Sequence, residues 1–473
     1  MIRPYPSASR TFVFIILMMF SSNFNHGKST NSKTYSGSLD SLELFVDKVS
    51  KKLRPDLLIK ISQSLEGENL VEAYECSKSA LNIAIQLDNI NNILKCNLQI
   101  ARIKILQDSL KSARDVLKDI ISYPEEAPGN DSLSEDFKIV KAKAEFLNTL
   151  LCFYNSPDSV KNAILNVQNA LFYLKSNNEK LYLAHSYLML GNLYFYLGLY
   201  HQGLAFYKKS LSIIKLHNFG PNQNLFFFKL FSLLDETGKQ NFTNVNCNIN
   251  HSFTKANLLT ALYIKLGYAN SRIKSFSSAK ANFDKALEIA KLTYNTEAQV
   301  CILSRLGSLY LEMKNFEKAK DYLEHALQIS RNRHLQNFIC SNAIQLSKLY
   351  RLKKDYQRAH QYLKTAGSSA SASIPFNLQV GFALEKGKLV FEQGEYERAV
   401  KYFKQYYDSC LAINDVPYLH KLSHHIYKAQ DSLGNYQDAI RFYKQYRIFN
   451  DSLRTMDDKI LLNVTKLNLD IDK

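Results

Sequence analysis

Residues 187–211 read YLMLGNLYFYLGLYHQGLAFYKKSL, and their spacing decides the fold. Tyr187, Leu190, Gly191 and Tyr194 fall three and four positions apart, and Gly203, Tyr207 and Ser210 do the same after a short break. Such offsets put residues on one face of a helix, so the stretch predicts two helices joined by a turn. Gly191 has no side chain and lets the second helix come close. The small residue at 203 has counterparts at Ala73, Ala113, Ala163, Ala279, Ala319, Ala359, Ala399 and Ala439. From Ala279 onward the interval between them never changes, and YERAVKYF around Ala399 is a typical copy. A fixed period of this size marks a solenoid, in which each repeat buries its apolar face only against its neighbours.

The turns repeat as regularly as the helices. Nine residues after Gly191 stands Tyr200, an apolar anchor at the start of the second helix, and Phe276, Phe316, Tyr356, Tyr396 and Tyr436 hold the same place. Leu70, Leu110 and Val160 are the N-terminal equivalents. Each lies three positions before the small residue, hence on the same helical face, and is expected to plug the end of its hairpin. Turn formers precede it, as in Gly394-Glu395 and Gly434-Asn435. Gly191 itself is matched by Gly267, Gly307, Ser347, Gly387 and Tyr427, and the bulk of Tyr427 predicts a last unit that packs differently.

Two places break the period. SYPEEAPGNDSL, with Pro124 and Pro128, lengthens one link. Between Gly203 and Ala279, NLFFFKLFSLLDE reads as a single helix followed by the Asn-rich stretch Asn241–Asn250. This divides the chain into an N-terminal array (40–217), an irregular insertion or degenerate repeat (218–252) and a C-terminal array (253–449). Beyond them, 450–473 carries Leu453, Met456, Ile460, Val464, Leu467 and Ile471 in one stripe. It predicts a C-terminal capping helix with Asp451 or Ser452 as its N-cap.

The N-terminus carries a different signal. Arg3 and Arg10 precede the apolar run FVFIILMMF (Phe12–Phe20), which is followed by polar residues. A basic region before a short apolar core is a secretory pattern, so 1–27 is expected to be a signal peptide and the chain extracytoplasmic. Nine helical residues rise about 14 Å against a bilayer core of about 30 Å, so the run does not span a membrane. The seven cysteines form no CxxC and are odd in number, which indicates neither a zinc site nor a disulfide framework and leaves a cytoplasmic location as the alternative.

With 29 Tyr, 28 Phe and no Trp among 473 residues, the chain is rich in rings for packing between helices. Its net charge of +17 is spread along the sequence without a dense basic block or a nucleic-acid motif, so nucleic acid is not the expected partner. No P-loop, GxSxG, HExxH or glycine-rich phosphate cradle is present, so neither a catalytic centre nor a cofactor is expected. His420 and His424 lie one helical turn apart, but no third ligand is spaced to complete a metal site.

The small-residue pattern resembles the tetratricopeptide repeat (TPR), a helix hairpin with small residues at its eighth, twentieth and twenty-seventh positions. Gly267, Ala279 and Ala286 fit one copy, and Gly307, Ala319 and Ala326 the next. The resemblance covers roughly 50–450 and implies an all-α fold, a right-handed TPR superhelix (α-solenoid) of about nine helix pairs. The period of about 40 residues exceeds the roughly 34 of the family, so helices or links must be longer. Tyr187, Tyr263, Leu303 or Ala343 stands where the family has Trp, and Lys386 where Leu is expected. Signal segment, long repeats of constant period and a terminal DSL helix together resemble the exported sensor portion of TPR signalling proteins of the Bacteroidetes type.

The family's helix A lines a concave groove, and the position after the eighth points into it. Here that column reads Ser62, Arg102, Cys152, Asn192, Tyr268, Ser308, Lys348, Lys388 and Lys428. Arg351 and Phe391 follow three residues after two of these lysines, and His424 lies one turn before the last. The resemblance therefore implies a ligand-binding groove of Lys348, Arg351, Lys388, Phe391, His424 and Lys428, suited to an acidic protein or peptide. The expected protein is a non-enzymatic scaffold or sensor module. The alternatives are a cytoplasmic peptide-responsive regulator and a structural protein that self-associates through its C-terminal stripe.

Overall fold

The computed structural model describes residues 49–67, 69–124, 135–152, 159–176, 179–217, 255–369 and 374–471. The expected signal peptide and the insertion at 218–252 lie outside them. The described residues form helices and connecting turns. In chain order the helices are α1 (Arg54–Leu65), α2 (Leu70–Gln86), α3 (Ile90–Leu106), α4 (Leu110–Ser122), α5 (Glu135–Cys152), α6 (Ser159–Ser176), α7 (Lys180–Tyr196), α8 (Tyr200–Leu216), α9 (Lys255–Arg272) and α10 (Phe276–Leu292). There follow α11 (Thr296–Glu312), α12 (Phe316–Asn332), α13 (Gln336–Leu352), α14 (Tyr356–Ser369), α15 (Phe376–Glu392), α16 (Tyr396–Lys404), α17 (Tyr407–Ala412), α18 (Val416–Ser432) and α19 (Tyr436–Ile471). They fall into two compact units: α1–α6 with most of α7 belong to the first, and most of α8 with α9–α19 to the second.

The constant period has a simple origin. In the second unit α10, α11, α12, α13, α15 and α18 are each 17 residues long. Links of uniform length join α9 through α14 in succession, so helix starts fall at even steps: Phe276, Thr296, Phe316, Gln336 and Tyr356. Each such link holds a left-handed residue at the same beat, as do those after α15, α17 and α18. Lys274, Tyr294, Lys314, His334, Lys354, Gly394, Asn414 and Gly434 have φ between 51° and 85°. That conformation turns the chain back onto the last helical carbonyls, as where Asn315 N–H donates to Tyr310 O at 2.9 Å. The next residue then caps the new helix. Asn315 Oδ1 accepts from Lys318 N at 3.2 Å, and Asn295 Oδ1 from Ala298 N at 3.0 Å. The longer helices, with links kept short, account for a repeat that exceeds the family's usual length.

Each second helix begins at its expected anchor, at Leu70, Leu110, Tyr200, Phe276, Phe316, Tyr356, Tyr396 and Tyr436, while Val160 is the second residue of α6. The plug is real where a ring stands five residues earlier: Tyr200 lies 4.9 Å from Phe195, and Tyr396 5.2 Å from Phe391. Tyr436 does not plug its hairpin. It is 66% exposed, and Asp431 stands where Phe195 and Phe391 supply the ring in the other two hairpins.

Close approach explains the small residues. A Cβ on Gly267 would lie 2.6 Å from Phe283 Cε1, and one on Gly387 would strike the ring of Phe403. Ala279, Ala319, Ala359 and Ala399 are completely buried. Each first helix of the second unit from α11 onward also packs on the first helix of the next hairpin.

The C-terminal segment corrects one expectation. No new helix starts at Asp451 or Ser452; α19 runs unbroken from Tyr436 to Ile471, 36 residues or about 54 Å. Ser452 directs its hydroxyl back to Ile448 O at 2.8 Å, four residues earlier, which satisfies it inside a helix instead of at a cap.

Candidate functional site

Burial along the first helices of the second unit shows which column is open. Tyr268, Ser308, Lys348 and Lys388 are half-buried and Lys428 is exposed, while the residues on either side of the first four are buried. The column seven residues earlier, two turns up the same face, reads Ser341, Gly381 and Lys421 and is likewise open. A Cβ built on Gly381 meets nothing within 4 Å, so there is free space over α15 at this level.

The charges on this face gather more closely than a column suggests. Burial pushes the Lys388 ammonium below its ordinary pKa, and Arg351, Lys348 and Lys421 push it further against the pull of Glu385. Lys421 is exposed, yet partial desolvation lowers its pKa too, with Arg272 and Lys348 adding to the effect against the pull of Asp415. Arg272 ends α9, four hairpins before α18, and its charge still weighs on Lys421. Arg272 is held there by Tyr200, whose hydroxyl accepts from Nη2 at 3.1 Å.

The structure thus places Lys348 and Lys388 side by side and open, and adds Lys421 and Arg272, which the single column missed. Lys428 is open as well, but its charge weighs on His424 and His425. The other three candidates sit differently. Arg351 is buried: Nε donates to Glu385 Oε1 at 2.6 Å, and Nη1 pairs with Glu392. Phe391 packs against Tyr396 at the edge of the core. His424 turns toward α19, its ring 5.0 Å from Tyr446 and 5.4 Å from Tyr427.

Burial lowers the pKa of His424 with help from Lys428, His420 and Lys388, and pushes His425 down to about 3 with help from Lys388. His420 is shifted the same way, by burial and then by Lys421. At neutral pH the imidazoles are therefore uncharged and pack on rings: His420 lies tilted 4.8 Å from Tyr446, and His425 stacks 5.2 Å from Phe403.

At Ser62 and Arg102 in the first unit the same column is closed. Ser62 and Arg102 are buried, and Arg102 grips Glu66 through both ends of its fork, Nε–Oε1 at 3.1 Å and Nη2–Oε2 at 2.9 Å. Gln99 Nε2 donates to the same carboxylate at 2.7 Å. This network ties α1 to α3 as an internal fastening. Among the described residues no three His, Cys, Asp or Glu side chains gather as a metal site. None of the described helices is long and apolar enough to cross a membrane.

Comparison with known proteins gives this geometry a family. Residues 257–332 and 299–366 match the family described as Tetratricopeptide repeat, and 184–215 match a second family of the same description. No curated protein matches the chain. The fold is similar to the apo form of RapI, with a TM-score of 0.57 at 14% identity over 87% of this chain and 99% of that one. It is also similar to a Rap protein complexed with Competence and Sporulation Factor (TM-score 0.52, 14% identity, 86% of this chain and 100% of that one). The apo quorum sensor NprR from B. thuringiensis gives a TM-score of 0.52 at 12% identity over 83% and 98%. At such identities the likeness is one of fold. The chain thus carries tetratricopeptide repeats at 184–215 and 257–366, in the register of its own hairpins.

Proposed function

We propose that this protein is a non-catalytic scaffold or sensor module that binds a protein or peptide along the open first-helix face of its second unit. The observation that carries the reading is the column Tyr268, Ser308, Lys348 and Lys388, open in consecutive hairpins whose remaining first-helix positions are mostly buried. A solenoid presents such a surface as a continuous strip, which suits an extended partner. The fold shared with a Rap protein solved with a bound factor supports the same use, as an analogy of fold.

A steric plug tests the surface without altering its charge. Gly381→Trp fills the free space over α15, and calorimetry with a purified partner is expected to show binding lost while circular dichroism stays unchanged. A partner bound equally well by the plugged protein would remove the groove from the reading.

Export is the second part of the proposal, supported by the basic-then-apolar N-terminal sequence. Mass measurement of the protein from its native source is expected to find an N-terminus near residue 28. An intact Met1 in the cytoplasmic fraction would favour a cytoplasmic regulator, a reading that the fold shared with the quorum sensor NprR also supports.

A further inference from the structure

We propose that Arg272, Lys348, Lys388 and Lys421 form one receptor for the side-chain carboxylates of an acidic peptide segment laid across the hairpins of the second unit. The proposal rests on the groove reading above and names the chemistry of its ligand.

The lysines are gathered but not paired with acids. Among the described residues, Lys348, Lys388 and Lys421 make neither an ion pair nor a hydrogen bond; Lys421 lies over the ring of Tyr418, 5.3 Å from its centroid. Arg351 in their midst is held by two carboxylates, so acids are available to this helix face and are engaged elsewhere. Like charges within reach of one another in a partly desolvated groove oppose folding. A cost of this kind, only partly offset by Glu385 and Asp415, is what a site awaiting an anion looks like.

Geometry selects among anions. Neighbouring first helices stack about 10 Å apart, a distance spanned by about three residues of an extended chain. Acidic residues at that spacing meet successive hairpins. No dense basic block and no nucleic-acid motif accompanies these lysines in the sequence. Lysine, a compact ammonium on a flexible stem, suits scattered carboxylates better than a fixed planar fork does.

The test uses the full chain and a fluorescein-labelled eight-residue poly-glutamate peptide, with poly-glutamine of the same length as control. Fluorescence anisotropy at low salt is expected to show poly-glutamate binding and poly-glutamine failing to bind. Lys348→Glu, Lys388→Glu and Lys421→Glu should each weaken binding about tenfold or more, whereas Lys364→Glu, an exposed change on the second helix α14, should shift it less than about twofold. Equal losses at Lys364 and at the cluster would reduce the effect to the overall charge of +17 and overturn the proposal. A single-stranded oligonucleotide held more tightly than poly-glutamate, and lost through the same lysines, would overturn the ligand class.

A second measurement guards against loss of fold. Because Lys388 is half-buried, with Arg351 and Lys348 adding their charge, Lys388→Gln is expected to raise the thermal midpoint while weakening poly-glutamate binding. A lowered midpoint would make Lys388 a structural residue and sink the idea. The groove reading fails separately: a neutral partner blocked by Gly381→Trp and indifferent to the lysines leaves the groove intact and removes only its acidic ligand.

Discussion

At Gly387 the backbone of α15 lies directly against the ring of Phe403, and one methyl group decides whether the hairpin closes. Gly387→Ala is expected to cost about 1–3 kcal/mol in urea unfolding, because the ring has no vacant place to go. Ser347 carries a Cβ in the same register, where Leu363 stands in place of the ring. Phe403→Leu should therefore recover part of the loss in the Gly387→Ala background. The second decisive residue is Arg351. With Glu385 buried beside it, Arg351→Ala leaves a carboxylate without its cation and should cost about 3–5 kcal/mol. Its position beside the lysine column was legible in the sequence, but its commitment to Glu385 and Glu392 was not. A column of one residue per repeat does not show which acids of the neighbouring helix reach it.

The elements themselves were legible wherever the pattern depends on spacing. The anchors mark the first residue of nearly every second helix, because a ring at that place and a small residue three positions later serve one packing surface. The stops were harder to see. Lys274, Lys314 and Lys354 adopt the left-handed turn without glycine, held there by the regularity of the helices on both sides. Such a residue costs about 1 kcal/mol in this conformation, so Lys354→Gly is expected to stabilise the protein by about that amount in chemical unfolding.

Helix α18 carries the pH dependence. His420, His424 and His425 face Lys388 from α15, Arg351 from α13, the ring of Phe403 from α16 and Tyr446 with Asn450 from α19, besides Lys421 and Lys428 on their own helix. All three pKa values are lowered, so below about pH 6.5 the unfolded chain binds more protons than the folded one. The stability of the neutral rings is complete above that pH and is lost as pH falls toward about 3, where His425 protonates in the fold. Urea midpoints at pH 7 and pH 5.5 should show the decline, and His425→Gln should flatten it.

For the whole molecule the two units, each with its own buried ion pair, predict unfolding in more than one step. Calorimetry is expected to resolve at least two transitions. Arg102→Ala should lower one of them and Arg351→Ala another; a single transition lowered by both would mean that the array melts as one body. What the sequence could not show at this scale was convergence. Arg272 and Lys421 stand far apart in the chain and share no column, yet the charge of one weighs on the other.

The even beat of helix and link has one further consequence. Both arms of a hairpin take up the same length of chain, so the second unit has only one unit of safe growth. Duplicating a whole hairpin inserts another pair in phase, with every open face still open. Duplicating a single helix with its link exchanges inner and outer helices for all that follows, so that lysines now on the open face would be packed against the next hairpin. Gains and losses in an array of this kind are confined to whole pairs, much as a coding sequence tolerates insertions only in whole codons.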